Sequence, residues 1–323
     1  FRVLPENIFK NFKNIPFDKA IMEKTKNAAV VPVNFNWFDV GSWRGVWDAV
    51  QKDKNKNSTN DNVLIGPEAG DAITIGDDNI AVGNGALGAE TVGQSSVAIG
   101  TAAAGNQVKS GGSQGHMRNT AIGTTALYYN VTGTQNTFLG ADAGVGVSGN
   151  SHTNNTGLGY LAMSGITTGD YNTCLGALAG DQLTVTGNNT YIGYNAGSND
   201  QGSGYGGNTA IGAQAGVNMR SSYGSETNVA VGLNCYTGNS GSKNVYVGAF
   251  AGASCGGPES SNVAVGYEAL RDTESAVTQS IAIGQEALEI VERPSNVAIG
   301  YRAGRTLGHG ENNIIIGTNA EAS

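Results

Sequence analysis

The stretch "NTYIGYNAG" (Asn189–Gly197) contains the pattern that decides the fold. Close copies flank it, "NTCLGALAG" at 172–180 and "NTAIGAQAG" at 208–216. When the chain is aligned on the glycine after the apolar residue, the pattern occurs 15 times between residues 66 and 317, about every 18 residues. We call this residue the repeat glycine. Its copies are Gly66, Gly83, Gly100, Gly123, Gly140, Gly159, Gly176, Gly193, Gly212, Gly232, Gly248, Gly266, Gly284, Gly300 and Gly317. Such periodicity predicts a stack of similar structural units.

The residues just before the repeat glycine predict a short β-strand with one apolar face. Ile, Val or Leu always stands directly before the glycine (Ile192 in this copy), and Thr, Val or Ile always stands three before it (Thr190). Alternate strand residues share a face, so we predict that these two columns point into the core. The column between them, here Tyr191, varies from Gly to Tyr. We therefore expect that column to face outward or another chain.

Three further columns have a structural interpretation. Gly193 marks a bend. The residue four before the glycine is Asn in 13 copies, as in Asn189, and Ser in two; it is either a turn residue or one rung of a stacked hydrogen-bonded ladder. The residue three after it is Ala in 14 copies, as in Ala196, and Cys235 in the other. A column limited to Ala and Cys indicates tight space, which favours packing over a redox or metal-binding role for Cys235.

These columns predict an all-β fold, a parallel β-solenoid of about 15 coils, with coils too rich in Gly and Asn for helix. At about 4.8 Å per coil the rod is roughly 70 Å long. Each coil has few large apolar residues. The free energy gained by burying them is small beside the conformational entropy lost when the coil is ordered. We therefore expect a homotrimer, with the Ala column as the line of contact between chains.

The first 57 residues differ from the rest and predict a separate domain. They hold all three Trp, with ten Lys and Arg against six Asp and Glu, whereas residues 58–323 carry eight basic and 20 acidic residues. We expect a small α/β module at 1–57 and the solenoid at 58–323. The acidic solenoid argues against a nucleic-acid partner. The sequence contains no apolar run long enough to span a membrane, so we expect no membrane insertion. The three histidines are scattered, so no metal site is expected.

The repeat motifs resemble two groups of surface fibres. "SSVAIGTAAAG" (95–105), "NTAIGTTAL" (119–127) and "SNVAVGYEAL" (261–270) are similar to the head repeats of trimeric autotransporter adhesins and to repeats of bacteriophage tail-fibre proteins. The resemblance covers about 62–320. It implies a left-handed, trimeric parallel β-roll or β-helix that forms a fibre on a virion or cell surface. The period of about 18 residues is longer than in adhesin heads and favours the phage type.

The N-terminal segment resembles the end of the nucleotidyltransferase domain of mannose-1-phosphate guanylyltransferases. The matching motifs are "AIMEKT" (20–25), "VVPV" (30–33) and "WFDVGSWRGVWDAV" (37–50). The resemblance implies that Glu23 contacts a sugar and that Asp39 helps to hold a metal, which would be Mg²⁺ if the module is functional. The family's Gly-rich nucleotide loop is missing from this sequence, so we expect no catalysis and no other cofactor.

Together these observations predict a structural and adhesive fibre protein, a viral tail fibre or surface adhesin. Its expected partners are copies of itself and a cell-surface glycan or receptor bound by the insertion loops, in a virion or extracellular setting. Two alternatives stay open. The last coil, "NNIIIGTNAEAS", has no polar cap, which favours an extracellular filament subunit. The N-terminal resemblance favours a sugar-nucleotide transferase of the GDP-mannose type with a solenoid extension.

Overall fold

The computed structural model describes residues 61–202, 206–219, 227–238, 241–255, 257–273 and 277–322. These residues form a parallel β-solenoid, as predicted, and contain no α-helix. Fifteen strands of three residues stack into one parallel sheet in chain order, one strand per coil. No helix in this part of the chain is long and apolar enough to cross a membrane.

The strands of the main sheet end directly before the repeat glycine of each coil. They are β1 (Val63–Ile65), β2 (Ile80–Val82), β4 (Val97–Ile99), β6 (Thr120–Ile122), β7 (Thr137–Leu139), β8 (Thr156–Leu158), β9 (Thr173–Leu175), β10 (Thr190–Ile192), β11 (Thr209–Ile211), β12 (Val229–Val231), β13 (Val245–Val247), β15 (Val263–Val265), β17 (Ile281–Ile283), β18 (Val297–Ile299) and β19 (Ile314–Ile316). Two small parallel pairs lie elsewhere in the coils: β3 (Gly93–Gln94) with β5 (Gly115–His116), and β14 (Ser254–Cys255) with β16 (Asp272–Thr273).

The repeat glycine turns the chain away from the sheet at a place where successive coils lie very close. Gly193 has a φ of 135°, in a region that side chains disfavour. A Cβ there would lie 2.4 Å from the carbonyl oxygen of Gly212 in the next coil. The amide of Gly193 also donates to Leu175 O of the preceding coil at 2.8 Å. The predicted bend is therefore correct, and glycine is needed both for conformation and for close stacking.

The predicted orientation of the strands is wrong. The central residue of each strand points into the coil: Tyr191 is fully buried, as are Phe138 and Ala81. Thr190 and Ile192, which were expected inside, point away from the core and are partly exposed. The interior lies between the sheet and the turn after the repeat glycine. That space holds few large side chains per coil, and the flanking residues of the strand lie outside it.

The Ala column lies inside the coil and faces the sheet. Ala196 is fully buried, and so is Cys235, which confirms that this column limits side-chain size. Because the column is buried within one chain, the expectation that it forms the contact between chains is wrong.

The buried volume is balanced between the central strand residue and the residue four after the repeat glycine. Where the strand carries a large residue, the second position is glycine in every coil but the last, which has Ile315 with Glu321. A Cβ on Gly144 would lie 2.5 Å from the Phe138 ring, and one on Gly197 would lie 2.3 Å from the Tyr191 ring. Where the strand carries a small residue, the second position is often large. Such pairs are Ala81 with Leu87, Ala121 with Leu127, Gly157 with Met163, Ala230 with Tyr236, Ala264 with Leu270 and Ala282 with Leu288, and in all of them both residues are buried. These pairs fill the narrow core from either side.

The asparagine column forms a buried ladder along one corner of the solenoid. The Asn172 Oδ1 atom accepts from the Asn189 amide at 3.0 Å and from Asn189 Nδ2 at 3.1 Å. Asn155 Oδ1 receives the same two bonds from Asn172 at 2.8 and 3.1 Å. Of the two interpretations of Asn189, the ladder is correct. The left-handed turn conformation falls on the preceding residue, Asn188, with φ of 61°.

Candidate interaction surfaces

The outer side of the main sheet, formed by the two flanking residues of each strand, is a continuous uncharged surface. We call it the sheet face. Its two rows contain only Ile, Val, Leu and Thr in all 15 strands, although 14% of the chain is charged. Leu139 and Leu158 near the middle of the rod are 45% and 46% exposed. At about 4.8 Å per strand and about 7 Å between rows, the strip covers roughly 500 Å², near the upper limit for an apolar patch on a monomer.

Several insertion loops are anchored to the solenoid by a buried polar side chain. Glu90 is fully buried, and its Oε1 atom accepts from the amides of Thr91 at 2.9 Å, Val92 at 3.2 Å and Gly93 at 2.7 Å. Oε1 also accepts from the Lys109 amide at 3.1 Å, at the start of the 105–118 insertion. This carboxylate therefore fixes the base of the loop, since it accepts four backbone N–H groups, two of them buried and two half-buried.

Two more insertions supply a carboxylate to a core tyrosine. Tyr191 donates its hydroxyl hydrogen to Asp200 Oδ2 at 2.6 Å, and Tyr246 donates to Glu259 Oε2 at 2.9 Å. Burial raises the pKa of Asp200 and of Tyr191. A buried hydroxyl needs a partner. Asp200 and Glu259, in the insertions at 198–207 and 253–261, therefore complete the cores of their own coils.

The 144–154 insertion ends on a buried histidine. His152 is 2% exposed; its ring packs edge-on against Phe138 at 5.6 Å, and its Nδ1 atom lies 3.2 Å from Asn155 Nδ2 in the ladder. Its Nε2 atom has no hydrogen-bond partner. Burial lowers the pKa of His152 to about 4. The ring is therefore neutral at physiological pH, and its surroundings are those of a core residue.

A lattice of ion pairs links three successive coils near residues 268–305. Its residues lie two and five positions after the repeat glycine, on the part of the coil that we call the turn side. Arg302 Nε lies 2.7 Å from Glu286 Oε2, and Arg305 Nε lies 2.5 Å from Glu289 Oε2 and 3.1 Å from Glu286 Oε2. Arg302 lowers the pKa of Glu286. The pairs join neighbouring coils through side chains at the same positions of the repeat. Such a network of charges stabilises a fold more than isolated surface ion pairs do.

The predicted repeat residues take structural roles, and the predicted sugar and metal residues lie elsewhere. Asn189, Gly193 and Ala196 belong to the ladder, the bend and the core, whereas Ile192 lies on the sheet face. Glu23 and Asp39, together with the predicted 1–57 module and its boundary, lie outside the described residues. No cluster of metal-ligating side chains occurs among the residues that the structure describes.

Cys235 has the properties of a packing residue. Its Sγ atom donates to Tyr246 O at 3.3 Å, and burial raises the pKa of its thiol to about 12. A protonated, enclosed thiol is a poor nucleophile and a poor metal ligand.

Sequence reasoning missed two kinds of buried residue. One is the pairing of a large strand residue with a later glycine, as in Phe138 and Gly144. The signal was present as an inverse relation of sizes between two columns six residues apart. The other is the acidic partner of a core tyrosine, Asp200 or Glu259. Each follows a tyrosine-containing copy of the repeat and stands in the insertion of that same coil.

Comparisons with known proteins concern only a short part of the chain. A mannose-1-phosphate guanylyltransferase of Salmonella montevideo is 53% identical over 47 residues, 15% of this chain and 10% of that protein. The alginate biosynthesis protein AlgA of Pseudomonas aeruginosa is 52% identical over 48 residues, again 15% and 10%. A mannose-1-phosphate guanylyltransferase of Escherichia coli is 36% identical over 81 residues, 23% and 18%.

The chain therefore spans between a tenth and a fifth of the length of these relatives. No family model matches the chain, and no solved structure matches it. The comparisons show a likeness to a fragment of these guanylyltransferases, the same family that the motifs in residues 1–57 resemble. The fold of the solenoid is shown by its own structure.

Proposed function

We propose that this protein is a structural fibre, a tail fibre or surface adhesin of a virion or cell, in which three copies associate along their lengths through their sheet faces. The observation that carries the proposal is the uncharged sheet face. Each of its 15 strands contributes two residues, all of them Ile, Val, Leu or Thr, on the outside of the sheet. Burying this strip would remove apolar surface from water along the whole rod. The resemblance of the repeats to trimeric adhesin heads and tail fibres supports three copies.

The turn side of the solenoid has a different character, which favours a single association surface. It carries the ion-pair lattice of Glu286, Glu289, Arg302 and Arg305. Interfaces between obligate partners are depleted in charge at their centres. The sheet face therefore turns inward in the proposed fibre, and the turns and insertions face the surroundings, where recognition takes place.

The proposal is tested by the native mass of the protein and of a variant with a charge on the sheet face. Leu158 is 46% exposed, so Leu158→Lys leaves the interior of the coil intact. We expect a trimer for the intact protein and a monomer for the variant, because three lysines would meet in an apolar contact. Tyr171→Lys, at a 61% exposed site off the sheet face, is the matched control and should stay trimeric. A monomeric intact protein would overturn the proposal.

An end-to-end filament is the second candidate. Among the described residues, β19 pairs only with β18, and its Ile314 and Ile316 are 76% and 67% exposed. Beside it lies a cavity of about 400 Å³ lined by Asn313, Ile314, Ile315, Ile316, Ala320, Glu321 and Ala322. An edge strand is a template for pairing with a further strand, whether of the same chain or of another. Particle length that grows with protein concentration would favour this candidate over a discrete trimer.

A GDP-mannose type transferase is supported only by the short matches to guanylyltransferases. Those matches cover a tenth to a fifth of the relatives. Formation of GDP-mannose by the intact chain from GTP and mannose 1-phosphate would establish this activity in place of a purely structural role.

A further inference from the structure

A row of large exposed residues runs along the second half of the solenoid. It consists of the residues directly after the repeat glycine in every second coil. These are Tyr160, Tyr194, Leu233, Tyr267 and Tyr301, with exposures of 56%, 56%, 47%, 46% and 39%. We call this set the tyrosine row. The coils between them carry Ala177, Ala213, Ala249 and Gln285 at the same position. Over nine consecutive coils, a large apolar or aromatic residue therefore alternates with Ala, or in one coil with Gln.

The register of the sheet converts this alternation into a regular spacing. Strands β8, β9 and β10, which precede Tyr160, Ala177 and Tyr194, pair residue for residue. Strands β15, β17 and β18 pair in the same way before Tyr267, Gln285 and Tyr301. Two coils separate successive large residues, which corresponds to about 9.6 Å along the rod. Where the residue between them is Ala, as in three of the four intervals, it leaves a shallow gap.

Core packing does not require this arrangement. The five large side chains are roughly half exposed, whereas the buried residues of the same coils, such as Ala162 and Ala196, are fully enclosed. Exposed aromatic residues in a regular line are unusual on a soluble surface, because single scattered apolar residues are the norm. Their spacing indicates a ligand that is itself extended and periodic.

Polar side chains border the row where it approaches the ion-pair lattice. The Arg302 guanidinium lies 4.9 Å from the centre of the Tyr301 ring, and its Nε is held by Glu286. Phe250 packs edge-on against Tyr267 at 6.0 Å. Gln285 is exposed between the two tyrosines. Flat rings next to fixed hydrogen-bonding groups suit a ligand with both an apolar face and many hydroxyls.

We propose that the tyrosine row binds a linear β-1,4-linked polysaccharide lying along the rod. In such a chain each sugar is turned over relative to the last, so that the same C–H face recurs once per disaccharide, a repeat that matches two coils. Alternate sugars would stack on the rings, and the sugars between them would lie over the Ala or Gln gaps. Several weak stacking contacts on one rigid rod add up by avidity.

This inference rests on the proposed role as a recognition fibre and names its ligand class. It moves recognition from the insertion loops to a flat surface of the coils. The row lies beyond the repeat glycine and therefore beside the sheet face, so a trimer formed through that face and the polysaccharide use different residues.

The test is calorimetric titration of the full chain with cellohexaose and with chitohexaose. A hexasaccharide contains three disaccharide repeats and can span Tyr160, Tyr194 and Leu233. We expect binding of at least one β-linked hexasaccharide, at least tenfold weaker binding of its disaccharide, and no binding of maltohexaose, whose α-linked chain is curved. No binding of either β-linked hexasaccharide, or equal binding of maltohexaose, would overturn the proposal.

Three variants separate this site from general surface effects. Tyr160→Ala combined with Tyr194→Ala should weaken binding at least tenfold. Ala177→Tyr, which fills a gap, should weaken it comparably by breaking the period. Tyr171→Ala removes an exposed ring outside the row and should bind as the intact protein does. Unchanged affinity in the first two variants would refute the assignment.

Native mass measured on the same samples keeps the two proposals apart. A monomer that binds the hexasaccharide contradicts the trimer alone. A trimer that does not bind contradicts the tyrosine row alone.

Discussion

Exchange of volume between the two sides of one coil provides a strict test of how the core is filled. The coil of β7 carries Phe138 on the strand and Gly144 four residues after its repeat glycine, and the coil before it carries Ala121 and Leu127 at the same positions. Leu127 has a φ of 57°, the value that Gly144 also has. The variant Phe138→Ala with Gly144→Leu therefore copies the composition of a neighbouring coil.

The single substitutions should each be costly. Phe138→Ala removes a fully buried ring and should cost about 3–5 kcal/mol of stability. Gly144→Leu alone places a Cβ 2.5 Å from the Phe138 ring. Overpacking of this kind costs about 1–3 kcal/mol, and a side chain in the left-handed region adds about 1–2 kcal/mol.

The double variant should be much more stable than the sum of the two changes. The new leucine occupies space left by the ring, so the main remaining cost is the left-handed backbone, about 1–2 kcal/mol. We expect the two substitutions to couple favourably by at least about 2 kcal/mol.

The assay should be local, because stacked coils open in segments and need not unfold in one step. Hydrogen exchange of the β7 and β8 amides gives the opening free energy of this coil in all four proteins, and urea unfolding followed by circular dichroism gives the global value. Additive effects of the two substitutions would refute the inference that these positions share one volume.

Three further predictions concern the ladder, the buried histidine and the buried thiol. Asn172→Ala should destabilise the protein by about 3 kcal/mol, because two buried donors of Asn189 lose their acceptor. Asn172→Ser introduces the residue that two other coils have at this position, and it should cost less stability in urea unfolding. Equal costs of the two substitutions would contradict the ladder. His152 has a pKa of about 4 in the fold against 6.5 unfolded, so its contribution of about 3 kcal/mol is present above pH 6.5 and is lost as the pH falls towards 4. Unfolding measured from pH 7 to pH 4 should show this loss in the intact protein and a smaller one in His152→Gln; parallel curves would exclude His152 as the cause. Cys235 should resist thiol reagents in the native protein and react after unfolding, and rapid native labelling at Cys235 would contradict its burial.

Much of the solenoid can be predicted from the repeat because each column has a local physical cause. The strand positions follow from β-branched residues at alternate sites, as in Thr190 and Ile192. The bend follows from a glycine such as Gly193, whose backbone conformation and close neighbours exclude a side chain. The size limit at Ala196 and Cys235 follows from the restriction of that column to two small residues. The surface functions are harder to predict from the sequence, because residues such as Tyr160, Tyr194 and Tyr267 form a line only when the coils are stacked in register.

The sequence by itself determined the number of coils, the place of each strand, the bend and the tight line. Only the tertiary structure decided which side of the strand is inside. Alternation defines two faces of the strand but does not show which of them is buried, because both faces carry apolar residues. Closure of the coil decides which face is inside: the turn after the repeat glycine brings Gly197 back against the Tyr191 ring and leaves room for one large side chain between the two layers. Residues such as Ile192 are therefore excluded from the core and form the outer face of the rod.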